Sequence, residues 1–340
     1  GAIRPASTDE EYLRETLNFP PVDVATDPLI LERKTAGIAP PLPPTQQKPM
    51  SLADARAFTA YEKRVDFKKI DSTLKEIENK SVEGLRKTLV KQRDALISFV
   101  SSKLVNGGLS TSLINTGIDL KYKGDLKSGV RDMFHQTYAL GDADGRSELG
   151  KKFITGKHGI SVTPQKALDY LQAKADFVVA GITEPLTSAT KAILLQAIRD
   201  GLPLRDVINE LQAAYDPYLS DGSVLVDGEQ SMAYRLETIV RTNMSEAYNY
   251  GRRAMGEDPA LEGYVVGYQF SEILDDRTTD LSRFVDGQII KIDSPYLSEL
   301  TYPLHWNDRG MFVFVVKDDL PVEFMTDADA EEVIREKNVF

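Results

Sequence analysis

The sequence contains no cysteine. That excludes disulfides and thiolate metal ligands, and it fits a protein assembled in a reducing cytoplasm. Long apolar runs are also missing: none approaches the roughly 20 residues that span a bilayer, so no membrane partner is expected. The first residues, "GAIRPASTDEEYL", lack a basic region followed by an apolar stretch and do not read as a signal peptide. Positive charge is short as well. With 52 acidic against 41 basic residues the net charge is -11, which argues against tight non-specific DNA binding by the whole surface. Histidine occurs three times and tryptophan once. One His and the only Trp stand side by side in "YPLHWNDRG", residues 302–310.

What is present describes a soluble globular chain: 41% hydrophobic and 27% charged residues over 340 positions, too long for one ordinary core. Residues 1–50 read as an extended proline-rich arm, because "GIAPPLPPTQQKP" places prolines at 40, 41, 43, 44 and 49 and proline removes backbone donors. Such an arm is expected to be a linker or to order only along a partner's surface. Residues 51–160 read as a helical region. Phe67, Ile70, Leu74 and Ile77, then Val82, Leu85, Leu89, Leu96 and Phe99, form an amphipathic stripe, in one long helix or in two with a break near Asn79 and Ser81. A second helical stretch covers "LKSGVRDMFHQTYAL", and "GDADGRSELG" (141–150) reads as a turn after it.

Residues 161–256 carry four helical patterns. Thr163 is a candidate N-cap with Pro164 at the first helical position. One helix is expected through "KALDYLQAKADFVVAGI", another in "TSATKAILLQAIRDG" with Gly201 as its stop, and a third from Pro203. The fourth, "SMAYRLETIVRTNMSEAYNYGRRAMG", closes at Gly256. On it Arg241, Ser245, Asn249 and Arg252 recur at helical spacing as a polar face, solvated in the plainest reading, with Glu237 and Arg241 as an i,i+4 pair. Residues 257–340 form a small α+β unit: "GYVVGYQF", "GQIIKI" and "MFVFVVK" have strand composition, and a last helix is expected from Thr326. The fold class is therefore α+β, mostly helical, with short strands near the C-terminus.

Three fragments in order, "RLETIVRTNMSEAYNYGRRAMG", "LDDRTTDLSRFVDGQII" and "YPLHWNDRG", resemble the phage head morphogenesis family typified by Mu F-like minor head proteins. Arg241, Thr242, Ala247, Asn249 and Gly251 match the family's helix. Asp275, Arg277, Thr278, Asp286 and Gly287 match its second segment, and Pro303, His305 and Arg309 its third. The resemblance covers about residues 163–317. Ser282 and Asp308 stand where that family often has Cys, and Asn243 where it has Glu. Serine and one aspartate are poor substitutes for zinc thiolates, so no metal, cofactor or catalytic residue is expected. The matched residues should instead hold loops together, with Asp275 and Arg277 pinning one, Arg309 pairing with a carboxylate, His305 bonded to backbone and Trp306 buried.

The resemblance implies a non-enzymatic minor head protein of a tailed bacteriophage, sited in the virion inside the capsid at the portal vertex and assembled in the host cytoplasm. It would act in head morphogenesis, DNA packaging or DNA ejection. The portal protein is the implied partner, with the major capsid or scaffold protein and DNA as further contacts. Two rival readings are a metal-dependent hydrolase or toxin-like enzyme built on Glu272, Asp275, Asp276, Asp308 and His305, and a portal or head-to-tail adaptor component.

Overall fold

The computed structural model describes residues 62–105, 114, 121–150, 165–219, 235–274 and 278–337. The proline-rich arm, the Thr163–Pro164 cap and the Asp275–Arg277 segment lie outside the described residues. Within them are seven α-helices and one three-stranded antiparallel sheet: a helical majority followed by a small α+β unit, as the sequence patterns indicate.

Helix α1 (Phe67–Val105) is one unbroken helix. The stripe crosses the suspected break because Val82, Leu85 and Leu89 stay buried in register with Ile70, while Lys75–Asp71 and Lys87–Glu83 pairs support its outer face. Phe99, assigned to that stripe from its spacing, is instead 42% exposed. Helix α2 (Lys123–Leu149) runs straight through the expected turn. Its Gly141 faces the Tyr248 backbone and its Gly145 the side chains of Phe314 and Met255 rather than a loop. Asp142 bonds Arg146 at 2.9 Å, and Asp144 accepts from the Tyr248 hydroxyl at 3.1 Å. Those contacts compensate for the low helix propensity of Gly and Asp.

Helix α3 (Gln165–Asp200) likewise fuses two expected helices, with Pro185 inside it. Proline forfeits its bond to the Gly181 carbonyl, but Ile182 and Leu186 on either side are anchored in the core. The Thr183, Thr187 and Thr190 hydroxyls bond back to carbonyls of the preceding turn. By length and composition α3 passes as a membrane-crossing helix, yet its Leu171, Ala175, Val179, Ile182 and Leu186 line the common core. Gly201, at φ 65°, ends it, with Leu202 N–H reaching back to the Ala197 carbonyl. Helices α4 (Leu204–Leu219) and α5 (Arg235–Gly256) complete this core, which draws buried side chains from all five helices.

The C-terminal unit contains β1 (Val265–Ser271), a short α6 (Asp280–Val285), β2 (Ile289–Lys291), β3 (Met311–Val316) and α7 (Asp327–Lys337). Strand order is β2-β1-β3, so β1 is central; Tyr268 faces Phe314 across one pair and Ile290 across the other. A second core of Tyr268, Phe270, Tyr302, Phe312 and Phe314, all fully buried or nearly so, packs beneath the sheet with rings 5.0–5.8 Å apart. Thr326 caps α7 reciprocally with Asp329, and Lys337 at its end donates to the Glu299 and Thr301 carbonyls.

The two cores meet where α2 crosses α5. A Cβ on Gly141 would lie 2.0 Å from the Tyr248 carbonyl oxygen, and one on Gly251 2.2 Å from the Tyr138 carbonyl oxygen. Both glycines are needed for backbone-to-backbone approach. Alanine at either position is expected to force the helices apart and cost about 1–3 kcal/mol, read from denaturant midpoints. Gly84→Ala, on the exposed face of α1 with nothing within 4 Å, should instead stabilise by up to about 1 kcal/mol. Equal effects at all three positions would contradict the close-approach account.

Candidate functional site

Helix α5 presents an amide and a guanidinium to the outer edge of β3. Asn249 is buried: its Oδ1 accepts from Phe312 N–H at 2.9 Å, and its Nδ2 donates to the Gly310 carbonyl at 3.1 Å. One primary amide thus takes the place of a neighbouring strand. One turn on, Arg252 Nε donates to the Phe312 carbonyl at 2.6 Å, and its guanidinium pairs with Glu148 from α2. Glu148 Oε1 in turn accepts from Phe314 N–H at 2.7 Å. Arg64 reaches the Phe314 carbonyl at 2.9 Å, and Asp319 takes Val316 N–H at 2.8 Å.

Both members of the Arg252–Glu148 pair are inaccessible to solvent at the side chain or nearly so. Burial pushes the Glu148 carboxyl up from its usual range, and the Arg252 charge and the Phe314 N–H pull it back. The rings of Phe314 and Tyr248, 5.1 and 5.9 Å from the guanidinium carbon, complete its surroundings.

The polar face expected on α5 is therefore an internal face. Arg241 pairs with Glu78 of α1 at 2.5 Å rather than with Glu237, which pairs with Arg86. Arg241 also donates to Asn307 Oδ1 at 3.1 Å. Asn307 sits at φ 59°, in the left-handed region. Three contacts hold it there: that bond, its N–H on Thr242 Oγ1 at 3.0 Å and its Nδ2 on Thr238 Oγ1 at 3.2 Å. The turn containing His305 is thereby fastened to α5.

Asp308, 1% exposed, braces the same turn from inside. Its two oxygens accept from Leu304 N–H at 2.6 Å and Gly310 N–H at 2.8 Å. His305 Nδ1 lies 2.8 Å from the Trp306 carbonyl oxygen and Nε2 lies 2.8 Å from Ser282 Oγ. Trp306 is half-buried on the wall of the cleft, not sunk in a core as expected; the turn that carries it ends the core instead of crossing it.

The second segment closes the site. Thr279 caps α6 by accepting from Ser282 N–H, and Thr278 Oγ1 donates to the Ile273 carbonyl. Asp286, at the end of α6, accepts from Glu272 N–H at 3.0 Å, and Gly287, at φ 83°, donates to the Phe270 carbonyl. Pro303 follows a cis peptide bond.

These elements enclose a cleft of about 250 Å³ lined chiefly by Arg241, Glu272, Ser282, His305, Trp306 and Arg309. Glu272 accepts from the Tyr302 hydroxyl at 2.8 Å. Burial pushes its carboxyl well above the usual range, Asp308 adds to the shift, and the Tyr302 and Ser282 hydroxyls oppose it. Of the acids considered for a metal, Glu272 and Asp308 come together with His305, while Asp275 and Asp276 lie outside the described residues. Among the described residues no three His, Asp or Glu side chains are arranged to hold a metal.

Glu148, Glu78 and Asn307 are contributors that sequence reasoning missed. Glu148 had a readable signal, since it continues the buried line Gly141, Gly145 on α2. Glu78 and Asn307 had none, because their partners are remote in sequence.

Residues 190–313 match the family described as phage Mu protein F like protein, a stretch that begins inside α3 and ends inside β3. Over this stretch the chain is similar to phage Mu protein F like proteins. No curated protein and no solved structure matches the chain.

The buried Glu272 carboxyl makes stability depend on pH. Its folded-state pKa is raised, so the native state binds the extra proton. Stability is then greatest below the ordinary carboxylate pKa of about 4.3 and falls as pH rises toward the folded value. Glu272→Gln keeps an acceptor for Tyr302 but removes the titration. Its melting temperature relative to wild type is expected to climb from pH 4 to pH 8, with a limiting slope of about 1.4 kcal/mol per pH unit in stability. A difference that does not change with pH would show that Glu272 ionises freely.

Proposed function

We propose that this protein is a minor head protein of a tailed bacteriophage, associated with the portal vertex on the inside of the capsid. Its assembly role would be structural, in head morphogenesis, DNA packaging or DNA ejection. The observation that carries the reading is the Mu F-like match over residues 190–313. It is supported by what the matched residues do: Arg241, Thr242 and Asn249 spend their hydrogen-bonding capacity on fastening the 302–310 turn and the β3 edge to α5. A helix bundle with a small sheet clamped to one helix suits a component that must stay folded while neighbouring subunits assemble. The portal protein is the first partner in this reading, with the major capsid or scaffold protein and DNA as further contacts.

Purified heads should contain the protein in few copies, and cross-linking should connect it to the portal. Asn249→Ala leaves Phe312 N–H and the Gly310 carbonyl unpaired, at about 1–3 kcal/mol for each buried group. It is expected to lower both the melting temperature and incorporation into heads. Arg309→Ala is expected to do the same if Arg309 is a structural part of the turn. Variants that fold and incorporate like wild type while DNA delivery fails would sink the structural reading. A self-assembled ring of the isolated protein in native mass spectrometry would favour an adaptor instead.

A further inference from the structure

We propose that Ser282 is an activated nucleophile, with His305 as its general base, in a cleft that accepts a small acyl ester. This goes beyond the assembly role and does not depend on it. The argument starts from the proton on the imidazole. A backbone carbonyl only accepts, so the 2.8 Å contact to the Trp306 carbonyl requires the ring proton on Nδ1. Nε2 then presents its lone pair, and Ser282 Oγ, 2.8 Å away, donates to it. This is the tautomer and spacing that general-base activation of a hydroxyl requires, with the base oriented by a third group.

Both side chains sit on anchored backbone. Ser282 lies in the capped first turn of α6, and His305 lies in a turn held by Asp308 and Asn307. Ser282 is 2% exposed, but it lines the cleft, as His305 does. A volume of about 250 Å³ lies just below the range of drug-sized sites and suits an ester of a few carbons. Glu272 also neighbours Ser282 and competes for its hydrogen; burial raises the Glu272 carboxyl toward its neutral form, which weakens that competition.

In the reaction, Ser282 Oγ attacks the ester carbonyl carbon while its proton passes to His305 Nε2. The carbon–oxygen bond to the leaving alcohol breaks, and the imidazolium returns that proton to the alcohol. Water, deprotonated by the same nitrogen, then cleaves the acyl-serine, giving the carboxylic acid and restoring Ser282. One ester and one water become one acid and one alcohol. A carbonyl stabilises an imidazolium less than a carboxylate does, so turnover should be slow and a covalent probe is the better readout.

The test is to incubate the full-length folded protein with a fluorophosphonate and locate the adduct by tandem mass spectrometry. We expect one adduct on Ser282, absent in urea-unfolded protein. His305→Gln should slow labelling at least 100-fold, and Ser282→Ala should abolish it, with melting curves run alongside. The wild-type measurement is decisive without any variant. No adduct on Ser282, or one that forms equally in the unfolded chain, overturns the proposal, as does an unchanged rate in folded His305→Gln.

Discussion

The outer edge of β3 is the constraint from which the rest of the structure follows. A three-stranded sheet in which β3 is an end strand would ordinarily leave a row of backbone donors and acceptors open to foreign strands. Here Phe312, Phe314 and Val316 turn those groups toward Asn249, Arg252, Glu148, Arg64 and Asp319, and side chains meet them. The opposite edge is partly covered too, by Met325 N–H on the Ile289 carbonyl. Each buried group left unpaired would cost about 1–3 kcal/mol, so strand and helices cannot slide by a residue without breaking several bonds at once. That fixes the register between the helical core and the sheet.

The Arg252–Glu148 pair is best understood as part of that edge. A buried ion pair in isolation is weak evidence for stability, because hydrophobic replacements of similar size often do as well or better. The replacement argument fails here: apolar side chains at 252 and 148 would leave the Phe312 carbonyl and the Phe314 N–H without partners. The glycines belong to the same device. Gly141 and Gly251 let α2 and α5 touch backbone to backbone, and that approach brings Glu148, two turns beyond Gly141, to the strand. Gly145, whose Cβ would meet the Phe314 ring at 3.1 Å, clears the space between.

What could be read in the sequence divides along the same line. Helix and strand identities were legible because they rest on local periodicity: the stripe of α1, the β-branched run of β3 and the Thr326 cap of α7 all appear where the pattern puts them. Local rules failed where a distant surface reversed their meaning. The Gly and Asp of "GDADGRSELG" read as a turn, since nothing local reveals that α5 packs against them. The stretch around Pro185 reads as two helices, although burial on both sides holds α3 together. Arg252 and Asn249 read as a solvated face because their partners are 60 and more residues away. The matched positions could be named from the three fragments, but their roles required the edge of β3 to be in view.

Positions 282 and 308 show how a turn is held without sulfur. Asp308 spends both carboxylate oxygens on backbone N–H groups within its own turn, a job for a short acceptor side chain that serves as an internal brace. Ser282 supplies a hydroxyl that meets the imidazole edge at hydrogen-bond distance. Together they hold His305 from both sides, one through the backbone and one at Nε2, while Asn307 fixes the turn to α5. The histidine is consequently held at the wall of one small cleft, with Nε2 2.8 Å from the Ser282 hydroxyl. A ring held only for packing would not need its tautomer specified. Here the Trp306 carbonyl specifies it, and the lone pair that results faces a hydroxyl at the edge of open space.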